Sequence, residues 1–425
     1  MGVRKRYVLL SLLMFLSVIT YLDRISISVA GPRMQKDLGL SPERWGWVLG
    51  IFALSYGLGA VPLGALGDRL GQRKMLANIV VWWSVFMGLT GLAVSFPILL
   101  VTRFLFGAGE AGAYPNISGS IARWFPADER ARAQGSVWAA SRVGGAVSPW
   151  LVVPLMAAIG WRGMFMIFGA VGLVWVIVWY GWYRDNPTLK AGLAEQEVVE
   201  IKASQNQKPA SIPWRRLIRS RQLWMIMAMY WCYVWGSMFY LSWLHTYLVR
   251  GRGFTEAEMG GFSALPFLMG MVGNVAGGIM GDRLVRKMGL SLGRRIMGSS
   301  SLVATALFFL ATALTHGKTS AIVLLSLGFG VMDCMLPSAW AICLDVGGEY
   351  SGAVSGAMNL AGSAGGFTCA VLFGYLVQAF KNYDVPLFVI AIMVMISAFL
   401  FWHLDPARPL LQSNGPCPEG GLECA

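Results

Sequence analysis

Twelve times this chain returns to an apolar run long enough to cross a bilayer. The runs lie at about 7–30, 45–66, 75–95, 97–122, 133–158, 162–182, 223–247, 258–281, 296–315, 320–344, 352–379 and 385–404. A helix of about 20 apolar residues spans the hydrocarbon core. In lipid, a spanning helix satisfies every backbone N–H and C=O within the segment. The pattern therefore predicts an all-α membrane protein with twelve transmembrane helices. Only 13% of residues are charged, about half the share in a soluble domain.

A formal net charge of +13 invites a nucleic-acid reading, and its distribution argues against one. With the N-terminus placed in the cytoplasm, that terminus, the even-numbered connections and the tail hold 23 of the 34 Lys and Arg, and the opposite side holds eight. This is the positive-inside pattern, so the charge reports topology in a cell inner membrane with both termini cytoplasmic. Arg24, Arg103 and Arg142 remain, inside predicted spans. The first run follows "MGVRKR", exceeds a signal h-region and lacks a small-residue cleavage site, so it reads as the first helix. The six cysteines have no metal-ligand spacing with histidine nearby, so no metal and no cofactor are expected. No nucleophile–base constellation points to an enzyme. The expected partners are the bilayer and a small solute, with a monomeric chain.

The helices divide six and six. Residues 1–182 form an N-terminal bundle and 223–404 a C-terminal bundle, with a cytoplasmic linker at 183–222 and a cytoplasmic tail at 405–425. The linker is polar and holds eight Lys/Arg and four Asp/Glu, with an amphipathic stretch "LAEQEVVEIKAS". An internal repeat supports the division. "GALGDRLGQRK" follows the second run and "GIMGDRL" follows the eighth, so that Asp68 matches Asp282 and Arg69 matches Arg283 at an offset of 214 residues. Duplicated six-helix halves are the plan of a secondary transporter, with its site between them near the midplane. Gly64 and Gly67 allow close helix approach. Asp68 is placed to accept from a helix N-terminus of the other half, and Arg69, Arg73 and Lys74 anchor to headgroups. Together with Asp282 and Arg283 these residues read as a latch that closes the cytoplasmic side.

"GALGDRLGQRK" resembles, residue for residue, the loop signature of the major facilitator superfamily. With the repeat and the 6+6 count, the resemblance covers the whole chain and implies the major facilitator fold. Three further stretches resemble its anion–cation symporter branch, which includes sugar-acid transporters and vertebrate carriers of sialic acid or glutamate. They are "YLDR" in the first run, "RFLFGAGEAGAYPNISGSIARWFP" in the fourth, and "PSAWAICLDVGG" followed by "SGAMNLAGSAGG" in the tenth and eleventh.

Charges at bilayer depth are expensive and point to function. The first six helices hold Asp23, Arg24, Arg103, Glu110 and Arg142, and the second six hold Asp333 in mid-span. Counting about 1.5 Å per residue puts Asp23 and Arg103 at matching depth, and Glu110 near Arg142. The expected pairs are Asp23 with Arg103, and Glu110 with Arg142 or a water-filled cavity. Asp23 and Arg24 are neighbours that point about 100° apart, so they cannot neutralise each other. Arg24 is then free to bind a substrate carboxylate bidentately. Asp23 and Glu110 are the expected proton carriers, the proton being the coupling ion. The resemblance places Asp23, Arg24, Arg103 and Glu110 on the branch's charged positions. Arg142 departs from the polar, uncharged residue usual there, which leaves a second anionic group on the substrate or a different partner for Glu110 open.

The resemblance also implies cavity-lining roles for Tyr21 and Tyr56 and substrate contacts from Ser338, Trp340 and Asn359. A hydroxyl, an indole N–H and an amide suit a polyhydroxylated molecule. The reading that joins these residues is proton-coupled uptake of an organic anion by alternating access, the anion a sugar acid such as an aldonate, uronate or aldarate. An aromatic or monocarboxylate carrier, an anion exchanger and a non-transporting membrane sensor are the alternatives.

Overall fold

The computed structural model describes residues 4–187, 214–408 and 410. The amphipathic stretch of the linker and the tail beyond residue 410 lie outside them. Among the described residues the chain is helical with no strand, and all twelve expected spans are present. They are α1 (Lys5–Asp37), α2 (Pro42–Leu70), α3 (Gln72–Gly91) and α4, which comprises Phe96–Glu110 and Ala113–Trp124. One long helix, Ala127–Trp182, leaves helical geometry at Gly160 (φ 73°), and its limbs 127–159 and 161–182 are α5 and α6. After a short turn of helix at Trp214–Leu217, α7 covers 221–251. Then follow α8 (Glu256–Met288), α9 (Leu290–Leu314), α10 (Lys318–Gly347), α11 (Ser351–Phe380) and α12 (Val385–His403).

Ten uninterrupted helices are long and apolar enough to cross a membrane. The count falls two short of the spans for physical reasons. α5 and α6 run on through Gly160, and α7 is broken into Arg221–Met238, a π-helical Phe239–Trp243, Leu244–Thr246 and a π-helical Tyr247–Gly251. The internal repeat reappears as a repeat of turns. Gly71 (φ 86°) carries the chain from α2 into α3, and Gly289 (φ 83°) carries it from α8 into α9. Both sit in the left-handed region that glycine adopts without steric cost.

The two six-helix bundles pack by the same scheme. α1 lies against α5 and α6, α2 against α4, and α3 against α6; α8 packs on α10, α7 on α11, and α9 on α12. Between bundles, α2 meets α11, α1 meets α7, and α5 meets α8. These contacts concentrate on the face opposite the N-terminus. Gly46 of α2 touches the Ala370 carbonyl of α11 so closely that a Cβ there would lie 2.6 Å from it. The contact ends near Gly57 and Ser363, and Gly352 and Gly356 further along α11 face open space.

Polar contacts follow the same division. Ser28 of α1 donates to the Ser242 carbonyl (2.6 Å) and lies 2.9 Å from His245 Nδ1 on α7. Arg33 pairs with Glu256 (2.6 Å), and Arg250 donates to Gln35 Oε1 (3.2 Å) and the Pro32 carbonyl (3.1 Å). A cavity of about 460 Å³, lined by Arg33, Lys36, Asp37, Arg250 and Glu256 among others, lies beside these bonds. Toward the N-terminal face, the ion pairs Arg6–Glu129, Arg123–Asp185 and Arg294–Asp345 each stay within one bundle. The bundles are joined across one face and part toward the other.

Candidate functional site

α1 brings Tyr21, Asp23 and Arg24 into the middle of the N-terminal bundle. Arg24 donates its Nε to Glu110 Oε1 of α4 at 2.6 Å, a charge-assisted bond of the short, strong class. The guanidinium lies over Tyr56 (4.5 Å), Tyr21 (5.4 Å), Phe52 (5.6 Å) and Tyr114 (5.9 Å). Aromatic faces attract a cation most strongly where water is excluded. The pair is asymmetric: the Arg24 side chain is 17% exposed and the Glu110 side chain 0%. The carboxylate is the buried backing, and the guanidinium is the member a solute can reach.

Tyr114 is fixed from two sides. Its hydroxyl lies 2.9 Å from Ser17 Oγ, which donates to the Val137 carbonyl, and its ring stacks on Trp138 at 4.4 Å. Phe52 is shared, because Arg103 also lies over it at 5.3 Å and over Phe106 at 4.3 Å. Neither Phe52 nor Tyr114 stood out in the sequence. Tyr114 was findable in principle, since it follows Glu110 by four residues and side chains at that spacing share a helix face.

The depth-matched pairs are corrected. Asp23 and Arg103 are both buried, yet they form no ion pair, and neither Asp23 oxygen has a protein hydrogen-bond partner. Arg103 rests on the ring of Phe106 in its own helix and on Phe52 of α2 instead of reaching α1. Glu110 pairs with Arg24 and not with Arg142. Arg142 of α5 crosses to the other bundle and meets Asp333 of α10 at 3.2 Å. Helix counting gives height and leaves azimuth undetermined, and azimuth decides which neighbour a side chain faces.

Of the C-terminal contacts, Trp340 is half-buried against the core, and Asn359 is exposed on α11. Ser338 is fully buried, and a Cβ on Gly281 of α8 would lie 3.2 Å from its hydroxyl, so it occupies the α8–α10 contact. The loop residues dock within their own bundles. Gly64 and Gly67 lie against Pro115 and Asn116 of α4. Arg73 donates to the Tyr180 carbonyl through Nε and Nη2, and its backbone N–H donates to Asp185. Arg69 and Arg283 are exposed, and Asp282 reaches only Arg294, at 3.9 Å. The side chain of Asp68 lies outside the described residues.

The Major Facilitator Superfamily matches this chain over residues 13–368. A probable sulfoacetate transporter of Cupriavidus necator is 33% identical over 424 residues, covering 99% of this chain and 97% of its own length. A probable L-galactonate transporter of Escherichia coli is 30% identical, covering 92% and 88%. A hexuronate transporter of Bacillus subtilis is 28% identical, covering 86% and 87%. Among solved structures, a bacterial homologue of the human lysosomal transporter Spinster, in an inward-facing and unoccupied conformation, superposes with a TM-score of 0.78 at 18% identity, covering 93% and 96%. That likeness concerns the fold, and it agrees with two six-helix bundles parted on one face. By superfamily match, by whole-length relatives and by fold, this chain belongs to the major facilitator superfamily and is a multi-pass membrane transporter, not an enzyme.

Proposed function

We propose that the protein imports an organic anion together with protons by alternating access, and that the anion is a sugar acid such as an aldonate, uronate or aldarate. The observation that carries the reading is Arg24: a guanidinium inside the bundle, caged by four aromatic rings and presented by a carboxylate buried behind it. An arginine so placed binds a carboxylate in a planar, two-pronged geometry. The names of the relatives support the class, being carriers of sulfoacetate, L-galactonate and hexuronate, and of galactarate or D-glucarate in a further Bacillus subtilis protein.

The coupling follows from competition. Ionised Glu110 holds Arg24 at 2.6 Å, so an incoming carboxylate must compete with it. A proton on Glu110 removes that competitor and leaves Arg24 to the anion. By linkage, the anion on Arg24 then favours the proton on Glu110 by the same factor. Asp23, buried and without a hydrogen-bond partner, is the second proton carrier. The loop residues Asp68 and Asp282, with Arg69, Arg73 and Arg283, serve the state in which the N-terminal face closes. That face is cytoplasmic in an inner membrane, on the positive-inside pattern of the loops.

The test is uptake into proteoliposomes from a panel of radiolabelled organic acids, with and without an inward proton gradient. Gradient-driven accumulation of at least one sugar acid is expected. Accumulation that ignores the gradient would refute coupling, and unchanged affinity in Arg24→Ala would refute the anion site.

A further inference from the structure

Arg142 and Asp333 take no part in the scheme above, although they form an ion pair at the depth of the site. The pair repeats the asymmetry of the first. The Arg142 side chain is 19% exposed and that of Asp333 is 1% exposed, as Arg24 is 17% exposed and Glu110 0%. In both, the carboxylate is sealed behind and the guanidinium is presented. The second pair is also looser. Its one contact is 3.2 Å, against 2.6 Å for the first, and neither oxygen of Asp333 has a hydrogen-bond partner. Among the described residues no hydrogen bond joins Arg142 to the protein. Its five N–H donors are therefore almost unspent, in an environment where an arginine is costly unless it has work.

The two guanidiniums flank one side chain. Tyr21 stacks over Arg24 at 5.4 Å. On its other side a Cβ at Gly145 of α5, one turn from Arg142, would lie 3.8 Å from the Tyr21 ring. Asp333 is held against α8, where a Cβ on Gly270 would lie 3.0 Å from its Oδ2. It reaches Arg142 from the opposite bundle and is the partner that moves away when the bundles reorient.

Charge counting points the same way. The mid-membrane cluster holds Arg24, Arg103 and Arg142 against Asp23, Glu110 and Asp333, three against three. With protons on Asp23 and Glu110 it carries an excess of two positive charges, the number a two-headed anion offsets.

We propose that Arg142 is a second anion-binding group and that the cargo carries two anionic heads, a carboxylate on Arg24 and a second acidic group on Arg142 in place of Asp333. This rests on the anion reading of Arg24 and specifies the substrate class.

The experiment compares two matched pairs of radiolabelled acids in proteoliposomes: galactarate with galactonate, and sulfoacetate with glycolate. Members of each pair differ in one anionic head. Wild-type protein is expected to prefer the two-headed member of at least one pair, and Arg142→Gln to lower the two-headed to one-headed uptake ratio tenfold or more. The double variant Arg142→Gln/Asp333→Asn removes both charges, and it separates binding from a merely structural ion pair. Recovery of folding, followed as detergent-extracted monodisperse protein, with the ratio still low supports the proposal. Recovery of the ratio overturns it. Equal uptake within both pairs by wild type, or an unchanged ratio in Arg142→Gln, also overturns it while leaving Arg24 standing. Wild-type uptake of none of the four refutes the underlying anion reading and this inference with it.

Discussion

Replacing Glu110 by Gln tests the competition at the centre of the coupling scheme. The substitution keeps size and a carbonyl acceptor, and it removes the charge that holds Arg24 Nε at 2.6 Å in a fully buried position. A hydrogen bond to a charged group contributes about 1.5–3 kcal/mol, and every 1.4 kcal/mol is about tenfold in affinity. A carboxylate that no longer has to displace Glu110 should bind about ten to a hundred times more tightly at pH 8, where the wild-type competitor is ionised. At low pH the wild-type competitor is protonated, and the two proteins should converge. The expected signature is a pH-dependent affinity in wild type and a flat one in Glu110→Gln. Calorimetric titration of a transported sugar acid at several pH values measures it.

The same geometry dictates a stability effect. Removing one partner of a buried ion pair costs about 3–5 kcal/mol, because the remaining charge is uncompensated. Unliganded Glu110→Gln should therefore melt below wild type, and saturating anion should restore most of the difference. Exchange of anion between the two sides needs no net proton movement and should survive, while accumulation against a gradient is lost. Weaker anion binding in Glu110→Gln, an unaltered pH slope, or full accumulation would each refute the competition.

Tyr56→Ala removes the ring nearest the Arg24 guanidinium (4.5 Å), a contact worth about 0.5–2 kcal/mol, so anion affinity should fall about two- to thirtyfold, with Tyr56→Phe near wild type in the same titration. Glu256→Gln breaks the 2.6 Å pair with Arg33 on the joined face, but both side chains are about one-third exposed; such pairs contribute at most about 1 kcal/mol, so apparent affinity should shift less than about fivefold. Gly273→Val in α8 drives a side chain into the Gly330 carbonyl of α10. Overpacking of this kind costs about 1–3 kcal/mol or more, and the yield of monodisperse protein should drop sharply.

The number and order of spans were legible because bilayer thickness imposes a length on every helix and the chain repeats it twelve times. The repeat was legible because the loop glycines and Asp-Arg pairs recur at one offset, and the turns at Gly71 and Gly289 bear it out. The buried charges were legible as a group, since any ionisable residue in an apolar run attracts notice. Their partners were not. Arg24 and Glu110 lie 86 residues apart, and Arg142 and Asp333 sit in different bundles, so each pairing depends on helix rotation and packing that no local pattern encodes. The aromatic cage was hidden for another reason. Phe52 and Tyr114 belong to runs already rich in aromatics, and only the position of Arg24 distinguishes them. The π-helical stretches of α7 carry no glycine or proline inside the first, so nothing in its composition announces them.

Those irregular stretches lie where the two bundles meet. Phe239–Trp243 and Tyr247–Gly251 of α7 flank His245 and Thr246, which face Ser28 and Gln35 of α1. On the opposite side, α1 contains Pro32, which lacks an N–H and leaves the Ser28 carbonyl without its helical donor. π-Helical turns are frequent at functional sites, and here both partners of the contact depart from regular α-helix at the same level. α1 also carries the site. Arg24 is one turn from Ser28 and about 13 Å, at 1.5 Å per residue, from Arg33, which pairs with Glu256. An anion that draws Arg24 away from Glu110 therefore acts on a helix that is bonded to the other bundle within one to three turns. A ligand shifts a conformational equilibrium only by its differential affinity for the two states. The distance from Arg24 to that contact is short enough for the exchange of Glu110 for a substrate carboxylate to differ between a joined and a parted face, and the deformable stretches on both sides give the contact two arrangements to choose between.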